Sequence, residues 1–195
     1  MRRDDSHGCK APKWKDLSGD LLGRIVREYV SERAENEDRY LRFYAIQTSL
    51  EAAITKAALA ELPSGKRFSH QRRIPSAVLE QARDALLKLN FEEVKCFDDL
   101  YLLCEATLQP IKGVGELMIY DTVHRLSAFF SLQPEHVYLH AGVRAGAKAL
   151  GLDHRKDKLS QSELPKAFQK LRPDQVEDCL CIYKKELREW GTQKY

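Results

Sequence analysis

Between two apolar helical stretches the chain reads Leu108-Gln109-Pro110-Ile111-Lys112-Gly113-Val114-Gly115-Glu116. Gly-apolar-Gly at this position suits one kind of chemistry, the binding of an anion. Gly113 and Gly115 can take backbone angles closed to other residues and let another chain approach closely. Val114 is expected to plug the turn into the core of the helix pair. The amides of Gly113 to Glu116 would then sit at the open N-terminus of the following helix, where unpaired N–H groups and the helix dipole attract negative charge. Lys112 adds a cation beside them. On a nucleic acid the anion is a backbone phosphate, contacted without reading sequence. Glu116 opposes this attraction, and a purely structural connector between two helices is the competing reading.

Other side chains extend the set of candidates. His140 precedes a helical stretch, where its ring can reach a phosphate or a base edge, or can cap or pack instead. Asp121 and His124 stand three apart on one helix face, the spacing of an acid/base pair or of a surface polar pair. With Tyr138 these give the catalytic candidates His140, Asp121 and Tyr138, and Tyr120 can join them in lining a pocket for a flipped base. Two basic clusters stand out. Leu62–Pro75 holds Lys66, Arg67, Arg72 and Arg73 with His70 and Phe68 and has no acid, a mixture suited to phosphate contact plus stacking or wedging. Arg144–Lys158 holds Arg144, Lys148, Arg155, Lys156 and Lys158 against Asp153 and Asp157. The acids gather elsewhere, at Glu28–Asp38 and Glu92–Asp99, so a net charge of only +3 is unevenly spread. The five cysteines form no C-x-x-C pair, and Cys179 and Cys181 fall on different sides of a helix, so neither a disulfide framework nor a metal ion is expected. Asp153, His154 and Asp157 sit in a charged loop where solvation is the default. No cofactor is implied.

The elements that must position these residues are helices. Apolar residues recur at helical spacing over Leu17–Ala34, Glu37–Leu62, Pro75–Leu89, Phe97–Leu108, Glu116–Phe130, Gly142–Leu150 and Pro173–Trp190, and Ser160-Gln161-Ser162-Glu163 is a capping box opening a shorter one. No segment alternates apolar and polar residues long enough to predict a strand. The expected fold is therefore all-α, a bundle of about eight helices over 16–195 as one domain, preceded by a basic flexible arm over 1–15. The C-terminal helix, with Cys179, Leu180, Cys181, Ile182 and Tyr183 in succession, is apolar on more than one face and either packs centrally or holds a second copy or a protein partner. No apolar run approaches the roughly 20 residues that span a bilayer. The start Met-Arg-Arg-Asp-Asp does not read as a signal peptide. A cytoplasmic protein, nucleoid-associated if bacterial, is the expectation.

The hairpin and the segment after it resemble the helix-hairpin-helix DNA glycosylase superfamily, the relatives of endonuclease III. There a hairpin L-P-G-V-G-x-K-x-A is followed by V-D-T-H-V-x-R-x-x-x-R-L-G, and Val143-Arg144-Ala145-Gly146-Ala147-Lys148-Ala149-Leu150-Gly151 falls on the second motif without a gap. The resemblance covers about Phe97–Leu152 and implies an all-α, DNA-binding, DNA-repair scaffold. The family's catalytic aspartate falls at His140, its Schiff-base lysine at Leu117, and Ile119 stands where a small residue is usual. A histidine supplies no negative charge to an oxocarbenium-like transition state, and a leucine cannot attack a sugar carbon. The reading is a double-stranded-DNA-binding protein on a glycosylase-like scaffold, contacting phosphates through Lys112, Gly113, Val114 and Gly115 together with Arg144, Lys148 and the 66–73 cluster. Two alternatives stand beside it: a divergent glycosylase or base-modifying enzyme working through His140, Asp121 or Tyr138, and a protein-interaction module whose hairpin is only structural.

Overall fold

A computed structural model of the chain describes residues 20–192, with side chains described to 189. The basic arm expected over 1–15 lies outside the described residues. The fold is all-α. Its helices are α1 (Leu21–Tyr29), α2 (Glu35–Ala45), α3 (Leu50–Ala58), α4 (Ser76–Leu86), α5 (Phe97–Leu108), α6 (Glu116–Phe129), α7 (Ala141–Ala149), α8 (Pro173–Ile182) and α9 (Lys184–Thr192). A π-helical segment, Val30–Ala34, joins α1 to α2, so the break expected near residue 35 is absent. The single helix expected over 37–62 is instead two. Its interruption is local chemistry: Ser49 leaves the helical path and its hydroxyl accepts the amide of Ala52 at 3.1 Å, starting α3 afresh. Ile46, expected on the buried stripe, is 75% exposed at that break. The last helix also divides, at Tyr183. Periodicity does not foresee the antiparallel pair Val137–Tyr138 (β1) with Lys158–Leu159 (β2). Two residues per strand are too few to show alternation.

The described residues pack as two compact units. The first spans 38–133. In it α6 lies against α3 and α5, and α4 closes the group against the same two helices. Leu79, Ala82, Leu86, Leu100, Cys104, Leu108, Val123 and Leu126 fill its interior. The second unit takes residues 20–37 and 134–192. Here α7 packs on α8 and α9, β1 packs on α8, and α1 completes the core with Leu21, Ile25 and Tyr29. Cys179, Leu180 and Tyr183 are buried within this unit while Cys181 and Ile182 are half-buried, so the apolar C-terminal helix is accounted for largely by its own core. Cys96, Cys104, Cys179 and Cys181 form no disulfide among the described residues. No helix among the described residues is long and apolar enough to cross a membrane.

Candidate nucleic-acid interface

The hairpin lies in the first unit between α5 and α6. Gly113 has φ +97°, a conformation L side chains rarely adopt, and this turns the chain from α5 into α6. Gly115 does not need its lack of a side chain for backbone reasons: its φ is −118° and ψ 170°, ordinary extended backbone at the N-cap of α6. What distinguishes Gly115 is open space, since a Cβ built there meets nothing within 4 Å. The expectation that Val114 plugs the core is not met. Val114 is half-buried and Ile111 is the buried apolar anchor. The amide of Val114 is also used internally, donating to Ile111 O at 3.0 Å. The stretch of turn not spent on that bond is therefore shorter than expected and begins at Gly115, ahead of the first helical bond of α6, Ile119 N to Gly115 O. Lys112, Glu116 and Leu117 are exposed beside it, Leu117 at 38%.

The basic loop between α3 and α4 shares this end of the unit. A Cβ on Gly113 would lie 3.3 Å from Val78, in the first turn of α4, and the loop 62–75 leads directly into that turn. The loop's other flank is tied to α6. His70 Nε2 lies 2.8 Å from Asp121 Oδ2, and Gln71 Nε2 donates to the same oxygen at 2.7 Å. Arg125, one turn further along α6, donates to Gln71 Oε1 at 3.0 Å and to Asp121 Oδ2 at 3.4 Å. Its guanidinium sits 4.4 Å from the centre of the Phe68 ring. Phe68 is thus buried packing for this knot and not the exposed wedge anticipated from its position among cations. Arg67 also works inward, donating to Ile74 O at 3.0 Å and Ser76 Oγ at 3.2 Å. Lys66, Arg72 and Arg73 are exposed. On the α4 side of Ile111 an open groove is lined by Glu80, Asp84 and Lys88 and is net acidic.

The second basic cluster behaves differently. Arg144 donates to His154 O at 3.0 Å and Lys156 O at 2.6 Å and sits 3.6 Å from Asp157, stitching the 154–157 loop to α7. Arg155 pairs with Asp153 at 3.6 Å and Lys156 with Glu163 at 2.5 Å. Lys158 lies over the Tyr138 ring at 5.7 Å. Lys148 is exposed in the last turn of α7. Most of the positive charge read from the sequence is consumed locally. The Lys156 ammonium and the Ser160 backbone and hydroxyl groups hold Glu163 down to about 2 from its usual 4.5. A depressed carboxylate contributes stability above its unfolded value and loses it as pH falls. The stability gap between wild type and Glu163→Gln, followed by chemical denaturation, should therefore be open above pH 4.5 and close towards pH 2. The pair is exposed and solvent-screened, so the gap should be small.

The catalytic candidates divide between the two units. Asp121 belongs to the first unit and is engaged by His70, Gln71 and Arg125, while His124 stacks on Tyr120 at 5.6 Å between centroids. His140 and Tyr138 belong to the second unit and are buried. The His140 ring is only 3% exposed, with Nε2 2.5 Å from Glu177 Oε1, so it does not present itself to a phosphate or base edge. The pairings His70–Asp121 and His140–Glu177 are not legible in the sequence, because 51 and 37 residues separate the partners. Fold and site together define an all-α protein with an exposed glycine hairpin and an adjoining basic loop. No family model matches the chain, and no curated protein or solved structure matches it.

Proposed function

We propose that the chain binds double-stranded DNA through its phosphate backbone, with the Gly115 end of the hairpin and the basic loop 66–73 as the contact face. The observation that carries this reading is the close approach of Gly113 to Val78, which sets the loop's exit beside the hairpin. Exposed Lys66, Arg72 and Arg73 on the loop and Lys112 on the hairpin then supply cations at the side of the unit where the N-terminus of a 14-residue helix begins. Val114 and Arg67 contribute by shaping the turn and the loop. Arg144 is committed within the second unit, and Lys148 adds exposed charge there.

The two glycines give a clean test because they differ in kind. Gly115→Val has room in the protein and loses only the N-cap preference for glycine, about 1 kcal/mol, yet the side chain would stand where a phosphate must approach. Duplex affinity, measured by fluorescence anisotropy, should fall about tenfold or more. Gly113→Ala should instead cost roughly 1–2 kcal/mol of stability through its positive φ. Undiminished affinity in a folded Gly115→Val variant would remove the hairpin from the interface.

Base processing is the second reading, and one observation favours it. Asp121 orients His70, whose side chain is 40% exposed on the same loop as the cations, an arrangement suited to a general base. This moves the enzymatic alternative from His140 and Tyr138 to His70 and Asp121. Release of a free base from modified duplexes, lost in His70→Ala, would decide for it.

A further inference from the structure

His140 ends the strand–helix connection as the N-cap residue of α7, its backbone extended at φ −95° and ψ 176°. Glu177 and Cys181 are four residues apart on α8, the spacing that puts two side chains on one face, one turn apart. The two elements approach unusually closely, and glycine permits it. A Cβ on Gly146 would lie 2.2 Å from Leu180 O, and one on Gly142 would lie 2.7 Å from Cys181 Sγ. Any other residue at 142 would crowd the thiol and force it to shift. As folded, one ligand atom from each of His140, Glu177 and Cys181 lies within 4.8 Å of the other two.

Imidazole, thiolate and carboxylate at such separations form a donor set. A tetrahedral zinc ion, with bonds of about 2.0 Å to N and O and 2.3 Å to S, holds its ligand atoms about 3.3–3.6 Å apart. The 2.5 Å between His140 Nε2 and Glu177 Oε1 needs to open by about an ångström, which rotation of a glutamate side chain supplies. The charges also close: Zn2+ against one thiolate and one carboxylate is neutral, so the centre can lie where His140 and Glu177 are more than nine-tenths buried. Cys181 is half-buried and leaves an approach from solvent. Mixed N, S and O donors favour zinc over magnesium or calcium, which take oxygen ligands.

We propose that His140, Glu177 and Cys181 form a zinc-binding site in the second unit, with three protein ligands and a fourth position open to water. The site is independent of the DNA-binding reading, whose contact face of hairpin and loop 66–73 belongs to the first unit.

Titration of the full chain with Co2+ alone tests this. One equivalent should bind with a near-ultraviolet thiolate-to-cobalt charge-transfer band, and Zn2+ should bleach it. Cys181→Ser should abolish the band and weaken Zn2+ by more than the roughly 10–100-fold typical of losing an outer-shell partner. Exposed Cys96→Ser should leave both unchanged. Glu177→Gln, near-isosteric, should retain the band while weakening Zn2+, and it decides the matter if Cys181→Ser fails to fold by circular dichroism. The proposal is overturned if the wild type shows no stoichiometric band, if the band survives Cys181→Ser, or if a folded Glu177→Gln binds Zn2+ as tightly as wild type.

Discussion

Replacing Arg125 with Ala should destabilise the first unit by about 3–4 kcal/mol, among the larger effects a single substitution produces. The Arg125 side chain is 7% exposed and joins three segments at once. It donates to Ala57 O in α3 at 3.4 Å, to Gln71 in the basic loop and to Asp121 on its own helix, and its plane covers Phe68. Truncation takes the guanidinium from Asp121, which keeps His70 and Gln71, and takes the donor from Gln71 Oε1 in a largely buried knot. Removing one member of a buried pair costs more than the pair is worth, because the other is left desolvated. Arg125→Lys keeps the charge without the planar fork that serves several acceptors at once, so an intermediate loss is expected. Urea unfolding measures both, with an unchanged denaturant slope if the native state is otherwise preserved. A loss below about 1 kcal/mol for Arg125→Ala would mean the knot is not structural. Hydrogen exchange should show the loop amides opening before α5 and α6 do, since the loop is held by polar ties more than by apolar burial.

This knot also marks how far the sequence can be read. Helices α5 and α6 are legible almost to the residue, because a 3.6-residue apolar stripe with Cys96 and Gly115 at the helix starts is local information. The interruption at 46–49 is not, since tertiary packing decides whether Ser49 caps or continues a helix. The division into two units is equally hidden. It depends on residues 20–37 packing with 134–192, as where the Tyr29 hydroxyl donates to Asp178 across 149 positions, and no periodicity encodes such a pairing.

The candidate site divides along the same line. The glycine hairpin is visible as a pattern, while its working end is not: which amide is spent on Ile111 O and which glycine has space beyond it are three-dimensional facts. Charge is legible and its use is not. Arg67, Arg144 and Phe68 belong by type to a phosphate- and base-contacting surface, and their partners Ile74, Ser76, His154, Lys156 and Arg125 turn them inward. The buried His140 shows the same effect, because Glu177 lies 37 residues away and sequence spacing gives no reason to join them.

Duplex affinity should fall by about two orders of magnitude between roughly 50 and 200 mM salt, and should do so alike on unrelated sequences. Four exposed cations are available, Lys66, Arg72 and Arg73 on the loop and Lys112 on the hairpin. If each neutralises one phosphate, the slope of log affinity against log salt is about −3.6, because each displaced counterion on duplex DNA contributes about 0.9. Sequence independence follows because amides and flexible cations meet phosphates, which carry no base identity. Exchanging Arg72, Arg73 and Lys112 for alanine together should reduce the slope's magnitude by about 2.7 and leave the fold intact, since all three side chains are exposed. Arg144→Ala should leave the slope nearly unchanged and lower stability instead, because its guanidinium is spent on His154 O, Lys156 O and Asp157. Anisotropy titrations at several salt concentrations separate these outcomes. A slope near zero in the wild type removes the electrostatic interface, and a slope that follows Arg144 and ignores the triple variant moves it to the second unit. If the triple variant alone flattens the slope while Gly115→Val lowers affinity at every salt, cations and amides act as distinct parts of one phosphate-binding face.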